Sequence, residues 1–250
     1  MGSTPFREVL AEATRGEELA WRALYRDLAP AVIGYLAAVG RADGAEAVAG
    51  RLFAGLGGIL HSFRGGERDL RRIAFSIAHG EAREQSSRLD PPAHGLLGSI
   101  QLAPGEFRVR RVVDTLASDG REALLLCVLG ELSVEEAARI LEEPTGAVDE
   151  LMRRSLVAIA GEISSGAIAA SVIEALAELS SGEVEQLIAG RGEGKAELDE
   201  LRVFLISLKS AFFEVPSEDA ESRHVEMAVF AARSTTTPAT DPRKGQAAAP

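Results

Sequence analysis

The side chains most often found in metal centres and nucleophilic sites are sparse in this sequence. Its 250 residues hold one cysteine, Cys127, and four histidines, His61, His79, His94 and His224. Zinc ligands come in clusters at short, regular spacing, and these five positions are scattered singly, so no metal is expected. Cys127 lies inside the apolar run "ALLLCVLG", the setting of an inert core thiol. A single cysteine closes no internal disulfide, which points to an intracellular protein. "GRGEGK" at residues 190–195 has the glycines and lysine of a phosphate loop but neither its spacing nor a preceding strand, so a turn is expected. There is no nucleophile elbow and no paired-histidine motif, so neither enzyme chemistry nor a cofactor is expected.

What remains is contact with phosphate by arginine. Arg64, Arg68, Arg71, Arg72, Arg83 and Arg88 fall within 25 residues around His79, interrupted by Glu67, Asp69, Glu81 and Glu84. A second, shorter set is Arg153 and Arg154. Affinity for nucleic acid comes mainly from such cations neutralising phosphates, and the six-to-four balance of the first set describes a weak track. The whole chain carries 38 acidic against 27 basic residues, a net charge of −11, which excludes a protein that coats nucleic acid through overall electrostatics.

These residues must be positioned by helices. A 46% hydrophobic fraction with only 5% aromatics and abundant alanine favours close-packed helices, and the fold class expected is all-α. Apolar residues recur at helical spacing from residue 17 to about 89 and predict three or four helices. "RLDPPAHGLLGSIQLAPGE" breaks that pattern as a linker would. Four short helices are expected over 107–163, and four more at about 168–180, 182–189, 197–213 and 217–232. The domains so drawn are 1–89, a linker at 90–105, 106–163, an acidic extension at 164–232 and a disordered tail at 233–250, too poor in large apolar residues to repay its ordering entropy. No stretch reaches the roughly 18 apolar residues of a membrane span. A soluble cytoplasmic protein is expected.

Residues 132–156, "LSVEEAARILEEPTGAVDELMRRSL", have the design of a helix-turn-helix. Ser133 and Glu136 form a capping box, and Ala137, Ile140 and Leu141 make a buried stripe. Pro144 stops the helix, and Thr145 is expected to cap a second one. In that second helix Val148, Leu151, Met152, Leu156 and Ile159 share a face, leaving Asp149, Glu150, Arg153 and Arg154 toward solvent or a partner. The segment carries six carboxylates against three arginines.

The stretch from 114 to 160, "DTLASDGREALLLCVLGELSVEEAARILEEPTGAVDELMRRSLVAIA", resembles region 4 of extracytoplasmic-function sigma-70 factors, without insertion. The N-terminal block resembles region 2 of the same family through "WRALYRDLAPAVIGYL", "DGAEAVAGRLFAGL" and "FRGGERDLRRIAFSIAHGEAREQSSR". That resemblance implies binding to the β′ clamp of core RNA polymerase through the second of these stretches, at Glu46, Val48, Arg51 and Leu52. It implies promoter contact, weak here, through Arg64, Arg68, Arg71, Arg72, His79 and Arg83, and through Thr145, Asp149, Arg153 and Arg154. Departures from the family pattern are Ala47, Ala49 and Gly50 where polar or larger residues are usual, and Asp149 and Glu150 in place of a Lys-Ser pair.

The extension beyond residue 163 is similar to the cytoplasmic domain of actinobacterial anti-sigma factors of the anti-sigma-D type. Between 164 and 232 it holds thirteen carboxylates against five lysines and arginines, with Leu201, Phe204, Leu205, Leu208, Phe212 and Phe213 as an apolar stripe. Either that stripe packs on the rest of the chain, or it meets a protein regulator with Leu201, Phe204, Leu208, Phe212 and His224 as contacts. His224 is expected on a helix, at its surface or in packing. Two functions follow: a sigma-like regulator that directs initiation, or an interaction protein, anti-sigma or sigma mimic, that reads no DNA and uses acidic helical surfaces.

Overall fold

A computed structural model describes residues 5–40, 44–88, 104–164, 166–191 and 195–236. Among them every regular element is helical. The N-terminal block contains α1 (Phe6–Thr14), α2 (Glu18–Val39), α3 (Ala45–Ile59) and, after a 3-10 turn at Leu60–Ser62, α4 (Glu67–Arg88). The middle block holds α5 (Pro104–Asp114), α6 (Ser118–Leu129), α7 (Val134–Leu141) and α8 (Thr145–Ile163). The third block adds α9 (Ala167–Ala177), α10 (Ser181–Ile188), α11 (Asp199–Phe212), entered through a 3-10 turn at Ala196–Leu198, and α12 (Glu218–Thr236).

Three boundaries differ from expectation. The short α1 precedes the periodic region; it is held by Trp21, whose indole Nε1 donates to the Ala13 carbonyl at 2.8 Å inside the core. Proline at the first position of a helix loses no needed donor, so α5 starts at Pro104, inside the stretch expected to be linker. Residues 89–103 of that linker lie outside the described residues. α12 runs on to Thr236, into the expected tail; its Ala228, Val229 and Ala232 are buried against the rest of the chain and carry the helix forward. Residues 237–250 lie outside the described residues.

The three blocks share one continuous core. α2 is its axis: Trp21, Leu24, Tyr25, Leu28, Val32, Tyr35 and Leu36 are all buried, and the helix touches α1, α3, α4, α6, α11 and α12. Its Gly34 lies directly against the end of α11, where a Cβ would fall 1.6 Å from the Phe212 carbonyl oxygen. One turn earlier, the Pro30 carbonyl accepts the Glu214 amide at 3.1 Å. α11 buries Leu201, Phe204, Leu205, Leu208 and Phe212 against α2, α5, α6 and α8. Except for Phe213, which is exposed, the apolar stripe of the extension is therefore internal packing. α12 lies along α3 and α2 and closes the molecule.

Candidate nucleic-acid interface

The helix-turn-helix forms as its caps require. The Ser133 hydroxyl accepts the Glu136 amide at 3.2 Å while the Glu136 carboxylate accepts the Ser133 amide at 2.9 Å. α7 ends at Glu142, whose φ of 59° places it in the left-handed region. Thr145 does not cap α8: Pro144 takes the capping position, and the Thr145 side chain makes no capping bond. A proline side chain accepts nothing, so no side chain caps the first turn of α8, where the Pro144 carbonyl accepts the Ala147 and Val148 amides at 2.9 and 3.1 Å. Thr145, Gly146, Ala147, Glu150 and Arg154 are exposed, while Val148, Met152, Leu156 and Ile159 are buried, which leaves the N-terminal end of α8 presentable to a groove.

The charges on that face cancel within the chain. Arg153 donates to Asp149 at 3.1 Å and Arg154 lies 3.4 Å from Glu150, each one turn along α8. Arg139 pairs in the same way with Glu135 on α7. Of the residues expected toward solvent or a partner, Asp149 and Arg153 are part-covered by the extension. Ser181 donates to Asp149 at 3.1 Å, and Arg153 donates to the Leu176 carbonyl at 3.3 Å. Farther along the seam, Glu185 of α10 accepts the first amide of α7, Val134, at 2.8 Å.

The N-terminal arginines are spent on structure to differing degrees. Arg71 is buried and bound to Asp27 at 2.9 Å, so it is not available to phosphate. His79 is buried too: its Nδ1 lies 2.9 Å from the Tyr35 hydroxyl, and burial pushes its pKa down. It is a core histidine and not a reader of bases. Arg68 is exposed but fixed, gripping both oxygens of Glu136 across the two blocks at 2.7 to 3.1 Å. Burial raises the Glu136 pKa, but Arg68 and the Ser133 amide outweigh it and hold the carboxyl below its ordinary range. Arg72 leans on Asp69 at 3.6 Å. Arg64, whose guanidinium donates to the carbonyls of His61 and Phe63, and Arg83 stand on the exposed side. Around Phe63, Arg64 and Arg72 there is an open hollow of about 440 Å³.

Of the four residues expected to meet polymerase, Val48 and Leu52 are core, 1% exposed each, because α3 turns them inward. Glu46 is half-buried, and Arg51 is exposed and paired with Glu81 at 2.8 Å. His224, named as a regulatory contact, is buried with its Nδ1 2.9 Å from the Tyr25 hydroxyl. Sequence reasoning missed the acidic partners that bind the blocks together, Glu136, Glu185 and Glu221. Their signal was present only as an excess of carboxylates with no stated counterpart.

A helix-turn-helix spans α7 and α8, with α5 and α6 packed behind it. Residues 106–159 match the family model of sigma-70, region 4. The matched span begins within α5 and ends within α8, so it falls on the middle block. No curated protein and no solved structure matches the chain. Sigma-70 region 4 is a module of transcription factors, and nothing in it points to catalysis. Among the described residues no group of histidine, cysteine and carboxylate side chains is placed to hold a metal, and no helix is long and apolar enough to cross a membrane.

Proposed function

We propose that the protein is a sigma-70-like transcription regulator of the extracytoplasmic-function type, which binds core RNA polymerase and directs initiation with weak, regulated promoter contact. The observation that carries this reading is the region 4 match falling on a complete helix-turn-helix whose α8 N-terminus is open to solvent. The N-terminal block is a region 2 equivalent in this reading: α3 is the polymerase-facing helix, and Arg64, Arg72 and Arg83 are the arginines that would meet promoter phosphates. DNA contact is weak because Arg153 and Arg154 already face carboxylates, and exposed Glu142, Glu143 and Glu150 would approach the phosphates.

The second reading is an interaction protein that binds another sigma factor or polymerase without reading DNA. The neutralised face of α8 and its partial cover by α9 and α10 favour it. Capture of core polymerase by the full chain, followed by run-off transcription on genomic DNA, separates the two. Capture with transcripts supports initiation, and capture without transcripts supports the interaction protein. Absence of both, in the full chain and in a chain ending at residue 164, sinks the sigma-like reading.

A further inference from the structure

We infer that α12 is a latch seated on α3, and that α3 becomes available to polymerase only when α12 lifts. This rests on the reading of α3 given above. The seat is made of glycine. A Cβ on Gly50 would fall 2.6 Å from the His224 ring, and one on Gly57 would fall 2.3 Å from the Ala228 carbonyl oxygen. The two glycines are seven residues apart, two turns along one face of α3. On α12 the matching positions are His224 and Ala228, one turn apart, with Ala231 reaching the same seat. The absence of larger side chains at Gly50 and Gly57 thus has a physical cause: a helix of the same chain occupies their place.

The contact is extensive but made of small side chains. The largest aliphatic side chains that α12 buries are Val225 and Val229, while its Met227 and Phe230 are turned to solvent, Phe230 at 73% exposure. Its firm attachments are polar. Glu221 accepts from Arg22 at 3.0 Å and from Arg26 at 3.0 Å, His224 meets Tyr25, and Arg233 donates to the Gly16 carbonyl at 2.8 Å. The other side of α3 packs on α2 and α4. With α12 seated, α3 exposes only a narrow strip, chiefly Ala47, Arg51, Gly55 and Ile59. A stable interface needs about 800 Å² from each partner, more than four residues of this size supply.

The test uses full-length chains altered only on α12. Ala228→Glu drives a charge into the seat, and Glu221→Ala removes the anchor to the two arginines as a milder second variant. Hydrogen exchange reads α12 and the protection of α6–α8, and capture on core polymerase is measured with the same preparations. At least tenfold faster exchange across 218–236, unchanged protection of α6–α8, and at least tenfold greater capture than wild type are expected. Faster exchange with capture equal to a measurable wild-type level overturns the latch and leaves the sigma-like reading standing. Unchanged exchange of α12 in both variants overturns the role given to these contacts. No capture by wild type, either variant or a chain ending at residue 216 removes the polymerase reading, and the latch with it.

Discussion

Cys127 and the two buried histidines show how burial alone sets chemistry at single positions. The thiol is enclosed in α6 and its pKa is pushed up to about 12, so almost none is thiolate at neutral pH. Native protein is expected to resist thiol reagents and to label at the rate at which the core opens; rapid labelling of the folded chain would contradict the burial. His79 and His224 have pKa values lowered from 6.5, chiefly by burial, against the pull of Glu122 and Glu46 respectively, with Arg83 and Arg223 adding to the lowering. Both are neutral when folded and take up protons at higher pH when unfolded. The unfolded chain therefore binds more protons below about pH 6.5, and stability falls as pH drops from there toward the folded values. Melting temperature measured between pH 7.5 and 5.5 should decline, and His224→Gln should flatten part of that decline. Glu150 belongs to the same scale, because it is the exposed acid beside Arg154. If α8 meets DNA, Glu150→Lys should tighten duplex binding several-fold at low salt and steepen the salt dependence by roughly one phosphate contact. A titration with an unchanged slope would argue that α8 faces protein.

At the scale of elements, glycine is where helices touch. Gly34→Ala must move the end of α11 and should destabilise the protein by about 3 kcal/mol, the upper range of overpacking. Gly161→Ala, in α8 with nothing within 4 Å of its added Cβ, should instead stabilise by about 0.5–1 kcal/mol. Chemical denaturation of the pair checks both signs. What was legible in the sequence follows the same division. The Ser133–Glu136 box, the stop at Pro144 and the spans of α9 to α11 are local properties, written in caps and periodicity. The partner of each face was not legible. Arg68 is 68 residues from Glu136, and Tyr25 is 199 from His224. In sequence, Gly50 was a departure from a family pattern, and only packing reveals it as a seat. Val48 and Leu52 failed as surface residues for the same reason: a family motif gives position along a helix, while neighbouring helices decide which side is buried.

The whole molecule is tied by bonds that cross between blocks: Arg68 to Glu136, Glu185 to Val134, Arg110 to Glu214, and Glu221 to Arg22 and Arg26. Two natural probes sit in different blocks, since Trp21 is the sole tryptophan and Cys127 the sole cysteine. Heat unfolding followed by Trp21 emission and by Cys127 accessibility should give coincident transitions, as one cooperative unit requires. Midpoints several degrees apart would mean that the blocks melt separately.

The order of α3 and α12 along the chain has a consequence in time. α3 is complete at Ile59, and the helix that covers it is complete only at Thr236. At roughly 5–20 residues per second of synthesis, the glycine face of α3 leaves the ribosome about ten to thirty seconds before its cover exists. Every newborn copy thus passes through an uncovered state before it reaches the closed one.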